Sequence, residues 1–169
     1  MHFHAPNLGI RRSSVNPVVL ALYLGQLASA YGGLIEDGAG NLYGTTTAGG
    51  TGSDGGVVFK LNTATGHETV LHAFGGTDGA NPYAALVREP NGNLYGTTQN
   101  GGAAGAGTVF ELSATGTLTV LHSFTGGADG AYPFAGLIRD SKGHLYGVAS
   151  SGGVSGCFSG CGTIFEIMP

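Results

Sequence analysis

Repeated histidines and aspartates are the side chains of this sequence that could most readily do chemistry. His72 and His122 stand in matching Val-Leu-His segments, and Asp78 and Asp129 stand in matching Asp-Gly turns. A catalytic or metal-binding histidine needs partners close to it, and the sequence places none beside either one. A calcium loop needs several oxygen ligands, whereas each Asp-Gly turn offers one carboxylate. We therefore predict structural roles for these residues, and the sequence indicates no catalytic residue, no metal site and no cofactor.

Aromatic residues recur in the same way. Three tyrosines each follow a leucine and precede a glycine, namely Tyr43, Tyr95 and Tyr146. They could line a glycan-binding surface, but repeated aromatic residues more often belong to a core, so the prediction is burial. Three phenylalanines stand in the middle of apolar segments, namely Phe59, Phe110 and Phe165. We predict that they are buried at equivalent positions between adjacent sheets.

The two cysteines of the chain, Cys157 and Cys161, lie close together in a loop rich in glycine and serine. A Cys-x-x-x-Cys pair supplies two ligands, which is too few for a structural zinc site. The loop is four residues longer than its counterpart earlier in the chain. In an exported protein this arrangement predicts a disulfide that closes the loop.

The elements that position these residues come from an internal repeat. Asn41-Leu42-Tyr43-Gly44-Thr45-Thr46 returns after 52 residues and, in a changed form, after a further 51. A Gly-Gly loop, a Val-Phe segment, a Val-Leu-His segment and an Asp-Gly-x-x-Pro turn follow in the same order. The repeat predicts a domain over 31–169, with complete copies at 31–82 and 83–133 and a partial copy at 134–169.

Each copy reads as four short strands separated by turns. In the middle copy we expect strands near 83–88, 93–98, 107–112 and 117–124, with Asn91-Gly92 as a hairpin turn. Both faces of these strands carry apolar residues, which indicates sheets stacked face to face. The first strand of each copy begins with small residues and is expected to be the innermost. The predicted fold is all-β, a propeller-like array of four-stranded antiparallel units, with the β-trefoil as the alternative.

Composition supports this fold and excludes several others. Glycine accounts for 34 of 169 residues, and charged residues for 9%. Such a chain is too poor in charge for a disordered tail, has no three-residue glycine period for collagen, and is too rich in glycine for a helix bundle. The net charge of −4 and the lack of a basic stripe exclude a nucleic-acid partner.

The first thirty residues have a different character. Arg11 and Arg12 precede a short apolar run, and Ala28-Ser29-Ala30 ends it, which is typical of a secretory signal peptide over 1–30. The run is too short to span a bilayer, so no transmembrane segment is predicted. An alternative remains, because Val19–Tyr23 resembles Val120–Phe124 and could be a strand, over 18–23, that completes the third copy.

These segments resemble the GloVer tandem repeat of bacterial proteins described as choice-of-anchor tandem repeat GloVer-containing proteins. The resemblance covers about 31–169 and rests on five segments in the same order. It implies a secreted or surface-attached bacterial protein, and it carries no known activity, cofactor or catalytic residue. Members of that family usually hold more copies.

Two complete copies and one partial copy leave an open face in a propeller. The chain is then part of a longer repeat array, a homo-oligomer, an open arc, or three units closed on themselves. We expect an exported, non-catalytic scaffold that binds a glycan or protein ligand. The alternatives are an extracellular glycan-active enzyme, which needs two acids converging on one pocket, and a truncated fragment without independent function.

Overall fold

A computed structural model describes residues 27–50, 54–154 and 160–169. Within these ranges the chain forms strands and no helix. The strands are β1 (Leu27–Ala28), β2 (Ile35–Glu36), β3 (Asn41–Thr46), β4 (Ala48–Gly49), β5 (Val57–Asn62), β6 (Glu68–Ala73), β7 (Val87–Arg88), β8 (Leu94–Thr98), β9 (Thr108–Leu112), β10 (Leu118–Ser123), β11 (Ile138–Arg139), β12 (Leu145–Ala149) and β13 (Thr163–Ile167).

Three antiparallel meanders follow the three copies of the repeat. Unit one has the strand order β2-β3-β5-β6, unit two has β7-β8-β9-β10, and unit three has β11-β12-β13. Strand pairing stays within each unit, and only the short β1–β4 pair lies outside them. The described strands therefore lack the pairing between units that the trefoil alternative needs. The all-β prediction with two complete units and one incomplete unit is confirmed.

The turn between the first two strands of each unit is built alike. In unit two the Gly92 amide donates to the Glu89 carbonyl, and the Glu89 amide donates to the Asn93 carbonyl. Gly92 has a φ of 98°, a conformation that other residues adopt only with strain. The preceding strand is shorter than we predicted from 83–88: only Val87–Arg88 pair with β8. Residues 83–86 instead approach the neighbouring units, where small side chains allow close contact.

Each sheet has two apolar faces with different chemistry. Tyr43, Thr45 and Val58 define the tyrosine face of unit one, because directly paired residues share a face. The opposite, glycine face carries Gly44, Phe59 and their equivalents in the other units. The tyrosine face of unit one packs against Leu86, Leu94 and Phe110 on the glycine face of unit two. Unit two packs against unit three in the same way, so the units form a stacked array.

Burial follows the position of each unit in the stack. Phe59 and Phe110 are buried, with exposed fractions of 2% and 0%. Phe165, predicted to be buried like them, is only half-buried. Phe165 lies on the glycine face, and its strand β13 is an edge strand because unit three has no fourth described strand. The tyrosine face of unit three, in turn, has no described neighbour. On that face Ile164 is 82% exposed, whereas its equivalents Val58 and Val109 are fully buried.

The linkers connect the units covalently and also accept backbone hydrogen bonds from the next unit. Asn81 and Tyr132 have positive φ angles at equivalent linker positions, and their carbonyls accept from Gln99 and Ser150 of the next unit. Ser29 has the same conformation, and its carbonyl accepts from the Thr47 amide.

The end of the predicted signal peptide therefore has the local structure of a linker. Ala28 pairs with Ala48 as Ala80 pairs with Asn100 and as Ala131 pairs with Ser151. Residues 1–26, including the alternative closing strand at 18–23, lie outside the described residues. The described part of the chain contains no helix long and apolar enough to cross a membrane.

Candidate functional site

The two repeated histidines pair with the two repeated aspartates. His72 Nε2 lies 2.7 Å from Asp78 Oδ2, and His122 Nε2 lies 3.1 Å from Asp129 Oδ2. Each aspartate also accepts a hydrogen bond from a backbone amide at the start of its turn. Each histidine ring stands edge-on to the phenylalanine two residues later, at centroid distances of 4.9 and 4.7 Å. These contacts fasten the linker turn to the last strand of its unit.

No group of three or more His, Cys, Asp or Glu side chains in the described ranges is arranged to hold a metal ion. Cys161 carries a disulfide bond, and Cys157 lies outside the described residues. The pairing of these two cysteines stays a prediction.

The repeated tyrosines close the turn at the end of each first strand. Each hydroxyl lies within hydrogen-bonding distance of the acid six residues earlier, at 3.0 Å for Asp37, 3.2 Å for Glu89 and 3.4 Å for Asp140. Tyr43 and Tyr95 are buried, whereas Tyr146 of the uncovered unit is half-buried. Burial, together with the charges of Glu111 and Glu89, raises the pKa of Tyr95 to about 12.

A different set of aromatic rings is open to solvent. Tyr31, Tyr83 and Phe134 occupy the same position in the three copies and form an aromatic column. Their ring centroids are 5.3 Å apart for the first pair and 4.9 Å apart for the second. Tyr31 is 68% exposed and Phe134 is 48% exposed, whereas Tyr83 between them is half-buried. Exposed, adjacent aromatic rings are a feature of ligand surfaces rather than of ordinary protein surface.

Small residues bring the rings of the column together. A Cβ atom on Gly32 would lie 2.7 Å from the Ala84 carbonyl oxygen, so only glycine allows this approach. The Thr45 hydroxyl donates to the same carbonyl, at 3.1 Å. Sequence reasoning did not find the column. The signal was present, because each copy has an aromatic residue directly before a pair of small residues.

Two equivalent grooves lie at the other end of the sheets, where successive units meet. The first groove, between units one and two, has a volume of about 380 Å³ and is lined by Tyr43, Lys60, Arg88 and Asn91 among others. The second, between units two and three, has a volume of about 420 Å³ and is lined by Tyr95, Glu111, Arg139 and Lys142 among others. The tyrosine and the arginine are common to both grooves, and the other charges differ.

The second groove brings two carboxylates together on one hydroxyl. Glu89 Oε2 lies 3.2 Å and Glu111 Oε1 lies 3.3 Å from the Tyr95 hydroxyl. Glu89 is also paired with Arg139 at 2.5 Å, and Glu111 accepts a hydrogen bond of 2.6 Å from Asn93. Both acids are thus engaged by a cation or an amide.

The fold and these surfaces define a stacked array of antiparallel β-units whose cores are alike and whose grooves differ. The family model of the Gloeobacter/Verrucomicrobia repeat matches residues 16–169, and the chain belongs to this family. The match begins inside the predicted signal peptide at 1–30.

The chain is also similar to a solved structure described as "Crystal structure of Nidogen/Laminin Complex", with a TM-score of 0.51 and 20% identity. The similarity covers 75% of this chain and 41% of that one, so the chain spans less than half of its length. It concerns the fold alone. No curated protein matches the sequence.

Proposed function

We propose that the chain is an exported, non-catalytic binding module of a propeller-like repeat protein, and that it binds a glycan along the aromatic column of Tyr31, Tyr83 and Phe134. The observation that carries the proposal is the close contact of these three rings, of which the outer two, Tyr31 and Phe134, are exposed. A sugar ring offers a flat C–H face to an aromatic ring and hydroxyl groups to the surrounding backbone. An apolar platform of this kind gains free energy when such a face covers it.

The contrast between core and grooves supports a binding role. The glycine and phenylalanine of the stacked faces recur in all three units, whereas Lys60 of the first groove is replaced by Glu111 in the second. A repeat scaffold with a constant core and variable surface residues suits recognition.

Export and a bacterial cell-surface or extracellular location remain part of the proposal. They rest on the composition of residues 1–30 and on the family resemblance. Intact-mass measurement of the protein from its native cells tests them. We expect a chain that begins at Tyr31, and a retained Met1 would contradict the signal peptide.

One observation favours the second candidate, a glycan-active enzyme. Glu89 and Glu111 do converge on a groove, as a pair of catalytic acids would. Their pairing with Arg139 and Asn93 favours a structural role instead. Release of reducing sugar ends by the purified chain, abolished in Glu111→Gln, would establish the enzyme and overturn the non-catalytic proposal.

The direct test is binding of the purified chain to a panel of soluble neutral polysaccharides, measured by affinity electrophoresis. We expect retardation by at least one polysaccharide and its loss in the double variant Tyr31→Ala, Tyr83→Ala. Tyr132→Ala is the matched control, because Tyr132 is 41% exposed but lies outside the column. Retardation that survives the double variant, or no retardation by any glycan, would contradict the proposal.

The length of the natural array is tested separately. Further in-frame Leu-Tyr-Gly-Thr-Thr copies in the gene would show that the chain is part of a longer array. The mass of the purified chain in solution distinguishes a monomer from a homo-oligomer.

A further inference from the structure

The first groove carries two cations that no described carboxylate neutralises. Lys60 Nζ lies 5.7 Å and Arg88 Cζ lies 5.6 Å from the centre of the Tyr43 ring. Among the described residues no carboxylate oxygen lies within 4.0 Å of a side-chain nitrogen of either residue. The Nε of Arg88 is buried and has no hydrogen-bond partner. The Arg88 side chain as a whole is half-buried, and its guanidinium group forms no ion pair among the described residues, so its outer nitrogens can donate to an acceptor from outside the chain.

In the second groove the equivalent arginine, one unit later, forms an ion pair. Arg139 is the equivalent of Arg88, and it pairs with Glu89 at 2.5 Å. The equivalent of Glu89 in unit one is Asp37, whose side chain is one methylene group shorter. Both Asp37 oxygens are occupied, Oδ1 by backbone amides and Oδ2 by the Asn41 amide and the Tyr43 hydroxyl. Arg88 therefore lies over the Tyr43 ring without a carboxylate.

Lys60 makes the difference in charge between the two grooves larger. Lys60 occupies the position that Glu111 occupies in the second groove, because each is paired directly with the tyrosine of its unit. The first groove is thus cationic and the second carries two acids. Since both have the same backbone frame, the difference is a property of these side chains and not of the fold.

We propose that the first groove binds an acidic saccharide, with the carboxylate or sulfate of one sugar between Lys60 and Arg88. The remaining lining suits the rest of such a ligand. Asn91, Ser113 and Thr115 supply amide and hydroxyl groups for sugar hydroxyls, and Leu71, Leu94 and Leu112 supply an apolar floor. The guanidinium group matches the planar geometry of a carboxylate or sulfate oxygen pair. This site is separate from the aromatic column and does not depend on it.

Titration calorimetry at low ionic strength tests the proposal with three probes, a tetragalacturonate, a sulfated tetrasaccharide and the neutral maltotetraose. We expect one or both acidic probes to bind, and the neutral probe to leave the groove unoccupied. The carboxylated and sulfated probes distinguish the two anionic groups. Lys60→Glu, which reproduces the second groove, and Arg88→Gln should each weaken binding about tenfold or more.

Lys142→Glu is the matched control, because it makes the same change of charge in the second groove. It should leave the affinity within about twofold. An equal loss of affinity in Lys60→Glu and Lys142→Glu would mean that only net charge matters, and it would overturn the site. The absence of binding by both acidic probes would overturn it as well. Poly-glutamate that binds as tightly as the saccharides would overturn the assignment to a saccharide. If the chain binds a neutral glycan on the column but neither acidic probe, this site is refuted. The proposed function is then unaffected, because it rests on the column.

Discussion

The ring of Phe110 fills the space in which Gly96 would carry a side chain. A Cβ atom at position 96 would lie 2.6 Å from Phe110 Cζ, closer than real Cβ contacts come. The two residues are direct partners on β8 and β9. Gly44 and Phe59 have the same relationship in unit one, and Gly147 and Phe165 have it in unit three. The glycine of the Leu-Tyr-Gly motif is therefore required by the phenylalanine on the neighbouring strand.

Replacement of this glycine should destabilise the stack. Gly96→Ala forces the Phe110 ring to move within a closed core, and we expect a loss of about 1–3 kcal/mol in the free energy of unfolding. Urea denaturation measures it. Gly38→Ala is the control, because a Cβ atom there would meet no atom within 4 Å. Equal stability of the two variants would show that the ring moves aside without cost.

The loss of unfolding free energy on replacing a repeated phenylalanine by alanine should depend on its unit. Phe110→Ala removes a fully buried ring, and we expect a loss of about 3–5 kcal/mol. Phe165→Ala removes a half-buried ring and should cost clearly less. A similar loss for both variants in denaturant titrations would mean that the open edge of β13 is covered in solution.

The exposed isoleucine of unit three tests whether its tyrosine face is uncovered. Val109→Thr places a hydroxyl in a dry interface, and we expect a loss of about 1–3 kcal/mol. The equivalent change, Ile164→Thr, acts on a side chain that is 82% exposed and should stay within about 0.5 kcal/mol. Thermal unfolding of both variants gives the comparison. A strong effect of Ile164→Thr would contradict the exposure of this face.

The His122–Asp129 pair should give a measurable acid dependence. Hydrogen bonds from the Thr125 hydroxyl, the Thr125 amide and His122 lower the pKa of Asp129 below its ordinary value of 3.8. A lowered carboxyl pKa stabilises the fold above the unfolded value, and this stabilisation is lost as the pH falls through the folded value. The stability that Asp129 adds relative to Asp129→Asn should thus shrink as the pH falls below about 4. Glu36→Gln, at an exposed position, controls for the loss of one negative charge. A stability difference between the natural chain and Asp129→Asn that does not change with pH would refute the linkage.

The cysteine loop is tested by counting thiols. We expect no free thiol in unfolded, unreduced protein from an oxidising compartment, because Cys157 and Cys161 are predicted to form a disulfide. The ring is short, so its stabilising effect should lie near the low end of the ~0–5 kcal/mol range. Two free thiols per chain in a quantitative labelling assay would contradict the disulfide and weaken the prediction of export.

The strands and their order could be predicted because the repeat places turn residues at fixed intervals. Asn91-Gly92 marks a hairpin, and each matching turn marks the next. The pairing of His72 with Asp78 could not be predicted, because it depends on how a linker turn folds back on its own unit. The aromatic column was missed for a related reason. Tyr31, Tyr83 and Phe134 meet only when units stack, and the spacing of residues within one unit does not show contacts between units.

The unlike faces of each unit bear on how such proteins change in evolution. The glycine face of one unit fits the tyrosine face of the unit before it, so both described junctions have the same head-to-tail design. A gene duplication that adds one whole copy therefore brings a face for each neighbour, and a deletion of one whole copy leaves two faces that still match. The number of units can drift without a new interface, while substitutions at positions such as Lys60 and Glu111 diversify the grooves one at a time.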